Sequence, residues 1–111
     1  MDLQEKQLGQ LRPANTTAAS LYSPPANTRA VRLSLVVCNT SSSVAKFRVF
    51  HDNDGTTYDE STALFFDAPI DPGQTLESDG FKAANNSAGN FAVRTDTANA
   101  LTFTLYGAEI V

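Results

Sequence analysis

The stretch Arg29–Asn39, RAVRLSLVVCN, carries the longest period-two alternation in the chain. Val31, Leu33, Leu35 and Val37 fall on one side of an extended backbone, and Arg32, Ser34, Val36 and Cys38 on the other. This pattern predicts a long central β-strand around which the shorter apolar runs pair or pack. Val44–Asp52, VAKFRVFHD, sets Ala45, Phe47, Val49 and His51 against Lys46, Arg48 and Phe50. With the polar loop 39–43 between them, the two segments read as an antiparallel hairpin. Further strands are expected at Ala18–Tyr22, Ala63–Asp67, Thr75–Ser78, Phe91–Thr95 and Ala100–Ile110, the last with Leu101, Phe103 and Leu105 opposed to Thr102, Thr104 and Tyr106.

Turn residues separate these runs. Pro24 and Pro25 lack the donor that a ladder needs, so they mark a turn or an edge. Asp71-Pro72-Gly73-Gln74 places proline second and glycine third, the order of a tight turn. Asn85–Asn90, NNSAGN, is a loop rich in residues that tolerate left-handed backbone. Roughly seven or eight short strands without a long helical pattern predict an all-β fold, a single antiparallel β-sandwich of jelly-roll or immunoglobulin-like type. The sandwich is expected over residues 18–111. Residues 1–17, with Leu3, Leu8 and Leu11 among Gln, Glu and Lys, are expected to form an N-terminal arm that docks on a partner; Gly9 and Pro13 oppose a long helix. Val36 and Phe50 fall on the expected solvent side of their strands, and with Tyr106 they are candidates for an oligomer interface.

A chain of 111 residues suits one domain with one core. Charged residues make up 18%, below the usual share of about a quarter, so the surface is polar and nearly neutral. The net charge is -4 and the eight Lys and Arg are scattered, which excludes direct nucleic-acid binding through a concentrated basic face. The single Cys38 allows neither an internal disulfide nor a cysteine-based zinc cage. No segment has the pattern of a signal peptide or a membrane-spanning helix, so no membrane partner is expected.

The most tempting chemistry lies in DNDGTTYDE, where Asp52, Asp54 and Asp59 form an acidic loop expected to face outward. Its glycine comes too early and Glu60 stands in the wrong place for a calcium loop, and Asx turns account for its composition without a metal. His51 has no nucleophile or paired carboxylate aimed at it, and Cys38 sits in a strand as a small packed side chain. Tyr22, Tyr58 and Tyr106 with Phe50 are candidates for a sugar-stacking platform, but Trp is absent and a structural role is the simpler reading. No catalytic residue, metal site or cofactor is expected.

Four pieces in order resemble a recurring small domain of tailed-bacteriophage virion proteins: Leu21–Ala26 (LYSPPA), Thr28–Thr40, Asp71–Thr75 (DPGQT) and Leu101–Ile110 (LTFTLYGAEI). The resemblance spans most of the chain from Leu21 onward, with Pro25 and Asn27 departing from the usual residues of the first piece. It implies a non-enzymatic virion protein, either a capsid decoration (cement) protein bound to the major capsid protein or a small tail or fibre protein that meets tail proteins or a host-surface glycan. Assembly in the bacterial cytoplasm and self-association as a homotrimer go with that reading.

Overall fold

In the computed structural model, which describes residues 2–84 and 89–111, the chain forms eight strands. They are β1 (Leu3–Leu11), β2 (Ala19–Tyr22), β3 (Arg29–Asn39), β4 (Ala45–His51), β5 (Ala63–Ile70), β6 (Thr75–Ala84), β7 (Phe91–Thr95) and β8 (Leu101–Ile110). Two four-stranded antiparallel sheets, ordered β1-β8-β3-β6 and β2-β7-β4-β5, face one another. That order is the eight-stranded jelly roll with its two Greek keys; an immunoglobulin sandwich divides its strands differently. The expected β3–β4 hairpin is therefore corrected. Both segments are strands, but β3 pairs with β6 and β8 while β4 pairs with β5 and β7. Local alternation tells which side of a strand is apolar, not which sheet receives it.

Except at Val31, which is half-buried while Ala30 takes the buried position because the alternation shifts between Val31 and Ser34, the inward residues do what the alternation requires. Leu33, Leu35 and Val37 of β3 and Leu101, Phe103 and Leu105 of β8 are buried against Phe47 and Val49 of β4 and Phe91 and Val93 of β7. The Phe47 ring meets Phe103 edge-on across the sheets at 5.9 Å between centroids and tilts against Phe65 at 5.4 Å. Asp71-Pro72-Gly73-Gln74 closes as expected: Gln74 N–H donates to the Asp71 carbonyl at 3.1 Å and Gly73 lies at φ 75°. Beside it, fully buried Asn39 donates through Nδ2 to the carbonyls of Ser43 and Ile70, both at 2.9 Å, and so ties the β3–β4 and β5–β6 connections together. Asn27 takes the left-handed conformation at φ 59°, which asparagine tolerates and glycine adopts freely. Residues 85–88 of the expected loop 85–90 lie outside the described residues.

The arm expected at residues 1–17 is mostly part of the sandwich. β1 runs along β8 from Leu3 opposite Ile110 to Leu11 opposite Phe103, with a bulge between Gln7 and Gly9. Leu8 and Leu11 pack against the core, and Leu3 stays 45% exposed. The connection that follows is also fastened: Arg12 donates to the Asn99 carbonyl at 2.7 Å, Asn99 N–H to Pro13 at 2.8 Å, and Arg94 Nε to the Thr16 carbonyl at 2.8 Å. An edge strand exposed over its first half shows no alternation, which hides it from a periodicity reading.

Near the paired ends of β1 and β8 sits a polar cluster that bridges the sheets. Lys6 lies 2.5 Å from Oε1 of buried Glu109, and the Tyr22 hydroxyl donates to Oε2 at 2.6 Å. The Lys6 ammonium first and the Tyr22 hydroxyl second hold the Glu109 carboxyl below the usual range, while burial and then Glu109 itself push the Tyr22 hydroxyl up. A carboxyl depressed in the folded state stabilises above its unfolded pKa of about 4.3, and that contribution is lost as pH falls through the folded value. We expect Glu109→Gln to lower stability at pH 7 by roughly 1–3 kcal/mol. The gap to wild type should shrink towards pH 3 in denaturant titrations, and an equal gap at both pH values would contradict this role. A second test lies at Gly9, where a Cβ would stand 2.2 Å from the Leu21 carbonyl oxygen. Because the obstacle is backbone, Gly9→Ala should cost about 1–3 kcal/mol, read as a fall in thermal midpoint.

Candidate functional site

The acidic loop does not face outward as a unit. Asp52 is buried at 3% exposure. Its carboxylate accepts the Asn90 N–H at 2.8 Å and the Thr57 N–H at 3.1 Å, stapling the loop to the residue before β7. Asp54 and Asp59 are exposed, but each closes a local turn. Asp54 accepts the N–H groups of Thr56 and Thr57, both at 2.9 Å, and the Thr57 hydroxyl. Asp59 accepts the Ser61 N–H at 2.8 Å and its hydroxyl at 2.5 Å. The Thr57 and Ser61 hydroxyls, then the backbone donors, hold the two carboxyls below the ordinary range. Among the described residues no group of three potential ligands is gathered for a metal.

The same loop explains why Phe50 is not an interface residue. Alternation turns Phe50 and its β7 neighbour Ala92 away from the core, yet both are buried. Tyr58 of the acidic loop folds back over Phe50 with ring centroids 6.1 Å apart, and its hydroxyl accepts Asn90 Nδ2 at 3.0 Å and donates to the Gly55 carbonyl at 2.9 Å. The expectation for Phe50 is thus corrected: its outer face is roofed by its own chain. His51 stacks on Phe91 at 4.2 Å between centroids, and burial lowers its pKa despite the adjacent Asp52. Val36, half-buried, and Tyr106, 45% exposed, lie on the outer face of the sheet that holds β3 and β8.

Two further surface features stand out. On the sheet that holds β4 and β5, the Arg48 guanidinium lies 3.8 Å above the centroid of exposed Phe66 and forms a two-pronged pair with Asp67 at 2.7 and 3.0 Å. Leu64 is exposed on the same strand, so β5 is an edge with apolar side chains in solvent. The other feature is a groove of about 400 Å³ lined by Glu5, Lys6, Gln7, Arg32 and residues 106–108. It arises where β3 offers two residues, Arg32 and Leu33, between Val31 and Ser34, while β8 offers Gly107 alone. Arg32 adopts a left-handed φ of 58°, and its guanidinium reaches across β8 to Glu5 on β1 at 3.6 Å. Periodicity missed this groove because nothing in the residue types marks a bulge at an arginine. Asp52→Ala should release the loop from Asn90 and uncover Phe50. The expected readout is faster proteolysis within 53–62 at an unchanged core transition; wild-type cleavage rates would refute the staple.

No family model matches the chain, and no curated protein matches it. Among solved structures, the tobacco streak virus coat protein, solved as a dimer, aligns with a TM-score of 0.54 at 11% identity, covering 97% of this chain and 82% of that one. The structure of infectious bursal disease virus, Gx strain, aligns at a TM-score of 0.44 and 9% identity, covering 97% of this chain and 30% of that one. At such identities the likeness is one of fold: this chain shares the two-sheet antiparallel architecture of a plant-virus coat protein.

Proposed function

We propose that the protein is a non-enzymatic structural component of a virus particle, most specifically a bacteriophage capsid decoration (cement) protein that binds across junctions of the major capsid protein. The observation that carries the reading is the jelly-roll strand order, which the chain has in common with a viral coat fold, joined to the resemblance of residues 21–110 to small phage virion domains. The polar residues point the same way. Asp52, Asp54, Asp59 and Glu109 accept bonds from their own chain, and His51 is stacked on Phe91, so these groups act as fasteners.

A cement protein stabilises a shell because it binds the assembled lattice and not its separate subunits. Edge strand β1 with exposed Leu3, and the outer face around Val36, are the surfaces we assign to capsid contact and self-association. A homotrimer suits positions of local threefold symmetry in such a lattice. The second reading, a small tail or fibre protein that touches the host surface, is favoured by the open groove beside Tyr106.

Co-sedimentation of the purified protein with expanded empty heads, with purified tails in parallel, tests the assignment. Saturable binding to heads at a simple ratio to the capsid subunit is expected, with Leu3→Glu weakening it about tenfold at unchanged thermal midpoint. Light scattering should give three times the 11.9 kDa chain mass. Binding to tails alone, or to neither particle, would overturn the decoration reading.

A further inference from the structure

We propose that the groove between Tyr106 and the Arg32–Glu5 pair is a carbohydrate subsite that takes a neutral pyranose ring of a glycan. The bulge builds the site. Holding a non-glycine residue in the left-handed region costs about 1–3 kcal/mol, and such strain persists where the surroundings impose it. Here the two-for-one bulge keeps Leu33 in the core at 1% exposure and sends the Arg32 side chain over β8. The resulting cleft is lined by residues 106–108 of β8, by Glu5, Lys6 and Gln7 of β1 and by Arg32, whose guanidinium is paired with Glu5. Gln7 lies directly across from Tyr106 in the ladder.

The chemistry of that lining favours one class of ligand. Its charges are already matched, Arg32 by Glu5 and Lys6 by Glu109, so an ionic ligand finds no unbalanced partner. A polyhydroxylated neutral ring finds what it needs: a carboxylate to accept from vicinal hydroxyls, a guanidinium fork and an amide to donate to them. The Tyr106 ring, 45% exposed, supplies an aromatic face for the C–H side of the sugar. The volume of about 400 Å³ lies in the range of small-ligand clefts, and its openness to solvent sets a weak single-site affinity, on the order of 1 mM. Several copies on one particle raise the effective affinity without any new contact. The avidity rests on the proposed role in a particle. The groove itself, which shares β1 with the surface assigned to capsid contact, is tested on the free chain, so failure of sugar binding and failure of head binding are separate results.

The test is ¹H–¹⁵N shift mapping of the full chain with methyl α-D-glucopyranoside, methyl α-D-mannopyranoside, N-acetyl-D-glucosamine and L-rhamnose at millimolar concentration, with sodium acetate as the ionic arm. At least one sugar should give saturable shifts centred on residues 5–7, 32 and 106–108, with acetate giving none. Tyr106→Ala should weaken that binding at least tenfold and Tyr106→Phe should retain it, both at wild-type thermal midpoint. Arg32→Gly, which relieves the backbone strain and removes the guanidinium, should also weaken it without loss of fold. Absence of shifts with all four sugars, shifts centred elsewhere, stronger binding of acetate, or an unaffected Tyr106→Ala would each overturn the proposal.

Discussion

The contact on which the rest of the molecule depends is that between Phe47 and Phe103, one from each sheet, meeting edge to face in the middle of the sandwich. A β-sheet with one apolar face is not stable alone in water; it needs a second face at about 10 Å. Phe47 also touches Phe65, so a single ring holds β8 of one sheet against β4 and β5 of the other. Around it, Leu33, Leu35, Val37, Val49, Val93, Leu101 and Leu105 are each buried to within about 1%. Truncation of an aromatic in such a place typically costs about 3–5 kcal/mol, a large share of the stability of a domain this size.

With the two inner faces fixed, the polar residues decide how the rim is closed. Asn39 joins two connections at one end through four bonds of its side chain, two given and two received. Asp52 gathers the long loop onto Asn90, and Lys6, Glu109 and Tyr22 lock the opposite edge. Asn39, Asp52, Glu109 and Tyr22 are buried and each is satisfied, which is the condition under which a polar group inside a protein specifies structure; Lys6 reaches Glu109 from the exposed edge. Titratable residues that suggest chemistry in the bare sequence are spent on this work.

Legibility in the sequence followed the physics of each element. β3 alternates buried and more exposed residues and announces itself by that. β7 and β8 are marked by Phe91 and Val93 and by Leu101, Phe103 and Leu105 at every second position, although much of their outer faces is covered too. DPGQ announces its turn because proline and glycine have few other uses there. β1 was hidden because its neighbours cover little of it: five of its nine residues are exposed in succession. The partner of β3 was hidden because alternation carries no address. Phe50 looked like an interface because a strand pattern cannot show a loop returning over its outer face, and Asp52 looked outward because the N–H groups it binds are many residues away or belong to a turn. The groove at Arg32 was invisible for a different reason: a bulge is a mismatch between two strands, and it belongs to neither sequence alone.

The place of β8 in the first sheet has a consequence for how the molecule comes into being. β8 is the eighth strand in chain order, yet it lies between β1 and β3. While the chain is emerging from the ribosome, β1 has no ladder to join and β3 lacks one of its two neighbours. The first sheet therefore assembles after translation has passed β8, by insertion of the newest strand between two of the oldest. Pairings so distant along the chain place folding in the slow, millisecond-to-second class. During that interval β1 and the open edge of β3 are free to pair with other copies, so newly made chains are most prone to misassociation before the sandwich closes.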